Sequence, residues 1–106
     1  MIILEYSPDA LQKIGAIQYY IAEELQNPAA ASATVLDLRD RIRILKTSPK
    51  LGALLSSRFD NVPQQYADAR YFICGQYIIM YLFDGYIVRI LRIYHHSEDY
   101  VRHLLK

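Results

Sequence analysis

Two adjacent histidines near the end of the sequence are the side chains best suited to acid–base chemistry. His95 and His96 follow an apolar stretch, and Tyr100 comes shortly after them. A histidine exchanges a proton near neutral pH, so it can serve as the acid or base of a hydrolytic reaction. In the structural alternative, the histidines close the end of a strand and the tyrosine packs its ring. Which interpretation holds depends on the helices and strands that position these residues.

The same segment carries a metal-binding pattern of low specificity. His96, Asp99 and His103 fall on one face of a helix at three- and four-residue steps, yet these spacings match no recognised ligand motif. We therefore predict no metal site and no cofactor. The single cysteine, Cys74, lies among apolar residues of a predicted strand, which favours a buried and inert thiol.

Length and composition fit one domain that buries its own core. The chain has 106 residues, of which 53% are hydrophobic, so it needs no disulfide framework. Its first residues carry no signal-peptide pattern, and no apolar stretch reaches the roughly 18 residues that span a bilayer. We therefore expect a cytosolic protein that has no membrane partner.

Charge is distributed unevenly along the chain. Residues 1–27 are acidic on balance and residues 28–58 are basic, while the formal net charge is only +1. A basic helix face is more often solvated than functional, so this pattern gives nucleic-acid binding only weak support. The ten tyrosines are interpreted as core and partner-binding surface rather than as platforms for base stacking.

Two amphipathic helices are predicted in the first half of the chain. Ser7 before Pro8 supplies a cap and a proline at the first helical position, and an apolar stripe follows to about Gln26. The same combination of a cap and a proline recurs at Asn27 and Pro28, after which a second apolar stripe begins. So short a connection predicts an antiparallel helical hairpin. In the stretch that follows, residues 49–69, we expect a short turn or strand, or a mobile loop.

The last third of the chain predicts three antiparallel strands joined by two-residue turns. Gly75-Gln76 fits a type II′ turn, and Asp84-Gly85 fits a type I′ turn, which needs positive φ at both central positions. These turns place Met80 opposite Arg89. A further strand, residues 2–6, should join the sheet.

Side chains of the three strands alternate between two faces of the predicted sheet. The first face carries Arg70, Phe72, Cys74, Tyr77, Ile79, Tyr81, Val88, Ile90 and Arg92. The second, called the open face below, carries Tyr71, Ile73, Ile78, Met80, Arg89, Leu91 and Ile93. Both faces are mainly apolar, so we expect the helical hairpin to cover the first and another cover, such as a partner, to lie on the second.

The predicted elements are a strand, two helices, three strands and a short last helix that begins at Ser97. We therefore predict an α+β fold in which an antiparallel β-sheet packs against an N-terminal α-helical hairpin, with a short C-terminal helix, in one domain spanning residues 1–106. This order, with Ser7-Pro8-Asp9 opening the first helix and Ile90-Leu91-Arg92-Ile93 before His95, resembles the RelE/ParE superfamily. The resemblance covers nearly the whole chain, and the superfamily consists of toxins of bacterial type II toxin–antitoxin pairs.

The resemblance implies one of two activities. RelE-like members are metal-independent ribonucleases that cut messenger RNA on the ribosome, and their chemistry would here fall to His95, His96 and Tyr100. ParE-like members instead poison DNA gyrase. Members of both branches are silenced by an antitoxin that wraps around the toxin, which implies a toxin–antitoxin hetero-oligomer.

The positions that carry cations in the ribonucleases favour the ParE-like branch. A crowded phosphate needs fixed positive charge in the transition state, and the resemblance places that charge at Tyr71, Ile73 and Ile78, none of which is basic. Arg70 and Asp99 match residues that are common in ParE-like sequences. We therefore expect a toxin that inhibits a topoisomerase through protein contacts, with the ribonuclease as the alternative.

The predicted partner-binding residues are Arg70, Tyr71, Ile78, Met80, Arg89 and Arg92. Arg70 and Arg92 lie at strand ends, where their stems can cover apolar side chains while the charges reach an acidic partner. Ion pairs with Glu5 or Asp9 are the structural alternative for both. Arg89 is the only cation that the predicted register places on the open face.

The expected partners are therefore a cognate antitoxin and DNA gyrase. The ribosome and messenger RNA replace gyrase if the chain is a ribonuclease. A third interpretation, compatible with the near-neutral charge, is a degenerate member that keeps antitoxin binding or dimerisation without toxicity.

Overall fold

The computed structural model describes residues 1–96, in which two helices pack on one face of a five-stranded sheet. The elements are β1 (Ile3–Tyr6), α1 (Pro8–Tyr19), α2 (Pro28–Arg43), β2 (Ala53–Leu54), β3 (Arg70–Cys74), β4 (Tyr77–Phe83) and β5 (Ile87–His95). The strand order is β1-β5-β4-β3-β2. The α+β prediction is confirmed, although β1 runs parallel to β5 and makes the sheet mixed rather than antiparallel. The helix predicted to begin at Ser97 lies outside the described residues.

Both helices begin at the predicted caps. The hydroxyl oxygen of Ser7 accepts a hydrogen bond from the Ala10 amide at 3.0 Å, and the Asn27 side chain does the same for Ala30 at 3.1 Å. The Ser7 hydroxyl also donates to the Leu91 carbonyl at 2.7 Å, which fixes the start of α1 against the sheet. A π-helical turn extends α1 and a 3₁₀ turn extends α2. Among the described helices, none is both long enough and apolar enough to cross a membrane.

The main core lies between the helical hairpin and the sheet. Ala10, Ile14 and Ile17 of α1 and Leu38 and Ile42 of α2 supply its helical side. The buried residues of the sheet that meet them are Cys74, Ile79, Tyr81, Val88, Ile90 and Ile93. Burial of these side chains fixes how the helices sit on the sheet, since apolar burial is the dominant favourable term in folding.

The segment between α2 and β3 covers part of the open face. It contains β2 and two 3₁₀ turns, so the prediction of short elements within residues 49–69 is confirmed. Leu55 and Ala69 of this segment are buried together with Met80 of β4. The partly buried residues around them are Phe59, Val62, Tyr66, Tyr71, Leu82 and Leu91. The chain itself therefore covers part of the open face, where a partner was the expected cover.

Tyr81 holds the beginning of this segment in place. Its ring is fully buried in the main core, and its hydroxyl donates to the Pro49 carbonyl while accepting from the Gly52 amide, both at 2.8 Å. Arg70 donates to the Gly52 carbonyl at 2.7 Å. Burial raises the pKa of the Tyr81 hydroxyl above its ordinary value, so the group stays protonated and able to donate.

Two differences correct the predicted register. The turn between β4 and β5 is displaced by one residue, so Arg89 pairs with Leu82 rather than with Met80, and a β-bulge at Leu91 then pairs Met80 with Arg92. Because one extra residue reverses the alternation of side chains that follow it, the predicted faces of two residues were wrong. Ile93 packs in the main core, and Arg92 lies on the open face with Met80.

The two predicted turns had different outcomes. Cys74 pairs with Tyr77 around Gly75, whose φ is +62°, so the two-residue turn is confirmed. The type I′ prediction for Asp84-Gly85 was wrong, because only Gly85 has a positive φ. Instead, the Asp84 carboxylate accepts hydrogen bonds from the amides of residues 86 and 87, both at 2.8 Å.

Replacing Gly52 by alanine should destabilise the protein. A Cβ at this position would lie 2.6 Å from the Tyr71 carbonyl oxygen and 2.9 Å from the Tyr81 ring, so we expect a loss of about 1–3 kcal/mol in the free energy of unfolding. Gly15→Ala is the matched control, since that Cβ meets nothing within 4 Å and alanine favours a helix by roughly 0.5–1 kcal/mol. Urea unfolding measures both. Equal effects of the two substitutions would contradict this account of Gly52.

The turn at Asp84 should make stability depend on pH in the acid range. Hydrogen bonds from the amides of Ile87 and Tyr86 hold the pKa of the Asp84 carboxyl below its ordinary value. Its contribution is therefore present above the unfolded pKa of about 3.9 and is lost as the pH falls through the lower folded pKa. In urea titrations, the stability difference between wild type and Asp84→Asn should shrink over that range. A difference that does not change with pH would contradict the assignment.

Candidate functional site

The positions where a ribonuclease of this fold would carry cations form an uncharged surface. Ile73 pairs with Ile78 across β3 and β4, and Tyr71 pairs with Met80. Ile73 is 68% exposed, whereas Ile78 is 5% exposed. The ring of Tyr71 packs against Phe59 with centroids 6.1 Å apart. These side chains offer a phosphate group no positive charge.

The three arginines predicted to bind a partner are placed differently. Arg70 is half-buried and donates to a backbone carbonyl, that of Gly52, rather than to an acid. Arg89 pairs with Glu5 at 3.0 Å across β5 and β1. Arg92 pairs with Asp9 at 2.7 Å, which is the ion pair considered as its structural alternative. Arg70 therefore has a structural role, and the charges of Arg89 and Arg92 are balanced within the chain.

Arg92 connects three parts of the fold. Its side chain lies on β5, pairs with Asp9 at the start of α1, and is hydrogen-bonded to Tyr66 in the segment before β3. Burial by itself would lower the pKa of Arg92, but these partners outweigh it and the pKa is raised. Since both members of the Arg92–Asp9 pair are partly exposed, the pair itself contributes little stability and can exchange with the carboxylate of a partner.

Two other predicted contact residues are buried. Met80 is 1% exposed beneath the segment that carries Leu55 and Ala69, and Ile78 is almost as inaccessible. A partner reaches these side chains only if neighbouring chain moves aside. Of the other predicted contacts, Arg89 is exposed and Arg70, Tyr71 and Arg92 are partly exposed, and the binding role of all of them stays a prediction.

His95 and His96 lie together at the end of β5 beside the turn between β3 and β4. The Nε2 atom of His95 is 3.2 Å from Oε1 of Gln76, and the His96 amide donates to the Gln76 carbonyl at 2.7 Å. The His95 ring meets the Tyr77 ring edge to face, with centroids 5.5 Å apart. These contacts suit the structural interpretation of the histidines. Tyr100 lies outside the described residues, so its position relative to them stays a prediction.

A groove of about 380 Å³ adjoins His95, between the helical hairpin and the β3–β4 turn. His95, Cys74 and Asp37 are among its lining residues. Burial raises the pKa of the Cys74 thiol, which keeps it protonated and unreactive. By itself, the charge of Arg41 lowers the pKa of Cys74, but Arg41 is paired with Asp37 at 3.2 Å, so its charge is already balanced. Within residues 1–96, no three histidine, cysteine or acidic side chains cluster to hold a metal ion; Asp99 and His103 lie outside that range.

A second groove, of about 420 Å³, was not predicted from the sequence. It runs between the outer edge of β1 and the last turns of α2, where Arg39, Arg43 and Lys46 line it. The guanidinium of Arg39 lies 4.9 Å from the centroid of the Tyr6 ring. Spacings of four and three residues along α2 were the available signal. As a sequence pattern, that basic stretch is typical of a solvated helix face.

Comparisons with known proteins agree with the architecture. A family model described as "ParE toxin of type II toxin-antitoxin system, parDE" matches residues 4–100. A solved structure of the "Chromosomal ParDE TA system from P. aeruginosa" has a TM-score of 0.67, with 18% identity over 90% of this chain and 96% of that chain. At this identity the structural likeness concerns the fold alone. No protein of curated function matches the sequence.

Substituting each of the three arginines by methionine should distinguish the arginine that stabilises the fold from the two whose ion pairs contribute little stability. Arg70→Met leaves the Gly52 carbonyl without its charged donor, so we expect the free energy of unfolding to fall by about 1–2 kcal/mol. Arg89→Met and Arg92→Met remove ion pairs between partly exposed groups, each worth less than about 1 kcal/mol. Urea unfolding distinguishes these values. A larger loss for Arg89→Met or Arg92→Met than for Arg70→Met would contradict the assignment.

Proposed function

Because this chain belongs to the ParE toxin family of type II toxin–antitoxin systems, we propose that it is a growth inhibitor that acts on DNA gyrase and is neutralised by a cognate antitoxin. The observation that carries the choice of target is the uncharged surface at Tyr71, Ile73 and Ile78. Cleavage of RNA through its own 2′-hydroxyl needs fixed positive charge beside the phosphate as well as an acid and a base. That charge is missing where the ribonuclease branch carries it.

The arginines near this surface do not replace the missing charge. Arg89 and Arg92 are each held by a carboxylate of the same chain, and Arg70 donates to the chain before β2. A phosphate would have to displace Glu5 or Asp9 to reach the first two. Exposed ion pairs of this kind suit a protein surface that exchanges salt bridges with a partner, since rim charges act mainly on association rate and specificity.

Apolar side chains on the helical hairpin offer a second surface for protein contacts. Tyr19, Tyr20 and Leu25 at the end of the first helical segment and Leu36 on α2 are all more than half exposed. Tyrosine is enriched among the residues that dominate binding energy in protein interfaces. We assign this surface, together with the open face, to the antitoxin, which gives a toxin–antitoxin hetero-oligomer.

The second candidate is the ribosome-dependent ribonuclease. It draws on the adjacent rings of His95 and His96, whose centroids are 4.8 Å apart at the end of β5. A pair of imidazoles can divide the roles of acid and base near neutral pH. A degenerate member that binds the antitoxin but inhibits nothing is the third outcome that experiment must distinguish.

Expression without antitoxin should arrest growth, and the arrested cells should contain trapped gyrase cleavage complexes and show DNA-damage signalling. Measuring covalent gyrase–DNA complexes and messenger RNA ends in the same culture distinguishes the two targets. Messenger RNA cut at ribosomal A-site codons, with no trapped gyrase, would overturn the gyrase assignment in favour of the ribonuclease. Unimpaired growth despite folded protein would leave only the non-toxic binding module.

A triple variant, His95→Ala, His96→Ala and Tyr100→Ala, serves as the control for acid–base chemistry. If the toxin acts by protein contact, the variant should remain as toxic as the wild type, provided that its circular dichroism and thermal unfolding are unchanged. A loss of toxicity in a folded variant favours the ribonuclease. An adjacent gene for a small acidic protein with a DNA-binding N-terminus would supply the antitoxin for these experiments.

A further inference from the structure

One groove of the fold opens an apolar lining to solvent. It lies between the helical hairpin and the β3–β4 turn, has a volume of about 380 Å³, and is called the hairpin groove below. Tyr20 and Leu25 line it and are both more than half exposed. Ile21 and Leu38 of the hairpin and Tyr77 of β4 extend the apolar lining. Burying such surface is favourable, so the hairpin groove is suited to an apolar cover.

Two polar residues of the hairpin groove, Asp37 and His95, already have partners within the chain. Asp37 pairs with Arg41 at 3.2 Å. The Nε2 atom of His95 lies 3.2 Å from Oε1 of Gln76, and the His95 ring meets the ring of Tyr77. An occupant of this groove therefore needs an apolar face more than a charge.

The chain itself continues from the rim of the hairpin groove. His95, the last residue of β5, lines the groove, so the residues that follow it begin at this position. Residues 97–106 follow the described part of the chain. A segment tethered beside a site is present there at an effective concentration on the order of millimolar, which favours it over a ligand that is free in solution.

The residues of this segment have the pattern of an amphipathic helix. Ser97 is a preferred N-cap residue, and Glu98 and Asp99 place acids in the first turn. Arg102 and Lys106 place cations toward the opposite end, where they suit the helix dipole. The apolar face carries Tyr100, Val101, Leu104 and Leu105. A helix this short is marginal in water by itself, so it needs a cover for its apolar face.

We propose that residues 97–106 fold back as a helix whose apolar face fills the hairpin groove. In this arrangement Tyr100 lies near the rim, and Leu104 packs deeper, against Tyr20 and Leu25. The segment and the groove each lack an apolar cover, and packing one on the other supplies both. The contact lies within the chain itself, so it holds whichever target the toxin has.

The docked segment gives Tyr100 a structural role. Its ring packs in the hairpin groove instead of standing beside His95 and His96 as a catalytic group. The three aliphatic residues of the apolar face lie beyond residue 100, where the match to the family model ends. The contact is therefore a feature of this chain that membership of the family does not supply.

The docked segment also divides the exposed apolar surface of the helical hairpin. Tyr20 and Leu25 are covered by the chain itself. Tyr19 and Leu36 are more than half exposed and are not among the described lining residues of the groove. These two side chains stay available to a protein partner.

Paramagnetic broadening in NMR spectra of the full-length protein, made by cell-free synthesis, tests the contact. A nitroxide is attached at Lys106→Cys in a Cys74→Ser background, since Cys74 is the single cysteine of the sequence. The amide signals of Tyr20 and Leu25 should lose most of their intensity, whereas the signal of Gly85, beyond the far end of β4, should keep it. Unchanged signals for Tyr20 and Leu25 would overturn the proposal.

The same nitroxide distinguishes packing within one chain from packing between two copies. Spin-labelled protein without isotopes is mixed with isotope-labelled protein that carries no nitroxide. The signals of Tyr20 and Leu25 should then keep their intensity. Broadening that persists in the mixture would mean that the segment of one copy enters the groove of another, which contradicts packing within the chain.

Substitutions on the apolar face test the contact without a label. Leu104→Gln with Leu105→Gln should speed hydrogen exchange of the amides of residues 101–103 by roughly tenfold or more, because the helix loses its cover. The matched control, Glu98→Gln with Arg102→Gln, changes the polar face and likewise leaves the net charge unchanged, so its exchange should stay near that of the wild type. Protection of the β5 amides in both variants shows that the sheet is intact. Equal exchange rates in the two variants would reject the assignment.

Discussion

The hydroxyl of Tyr81 is the interaction on which the arrangement of the open face depends. Its ring is fully buried in the main core, while its oxygen binds the Pro49 carbonyl and the Gly52 amide just after the second helix. These bonds direct the chain into β2 and then across the sheet, where Leu55 and Ala69 cover Met80. One side chain thus couples the helix-facing core to the cover on the opposite face. Loss of its hydroxyl would deprive the buried Gly52 amide and the partly buried Pro49 carbonyl of this partner.

Charge on the open face is balanced within the chain, and this balance guides the functional interpretation. Glu5 and Asp9, both near the start of the chain, neutralise Arg89 and Arg92 near its end. A phosphate-binding site requires cations that are oriented before the substrate arrives. Partly exposed ion pairs lack that preorganisation toward phosphate but can exchange with the side chains of another protein at little cost in stability.

The basic groove beside β1 differs from the open face in where its cations lie and in the backbone groups that face them. Its cations come from α2 and the 3₁₀ turn that extends it, and within residues 1–96 the strand facing them has a neighbouring strand on one side only. The sequence showed the spacing of Arg39, Arg43 and Lys46 along α2, but it did not show that a sheet edge lies opposite them. That relation depends on β1 joining β5 in parallel, which places the start of the chain at the edge of the sheet beside α2.

Local chemistry was sufficient to predict the helices and one turn. Ser7 and Asn27 act as caps whatever the surrounding fold, and Gly75 adopts the positive φ that its turn requires. The sequence also showed directly that Tyr71, Ile73 and Ile78 are uncharged, because this depends on residue type alone. The sequence by itself therefore determined the class of fold, the family, and the argument against phosphate chemistry.

Tertiary structure decided which side chains face which surface. The bulge at Leu91 reverses Arg92 and Ile93, and no local signal marks it, since a strand with apolar residues on both faces accepts either register. Likewise, the burial of Met80 results from a segment that is distant in sequence and is held in place by Tyr81. Pairing and packing between remote segments determine these features, so they emerge only when the whole chain is assembled.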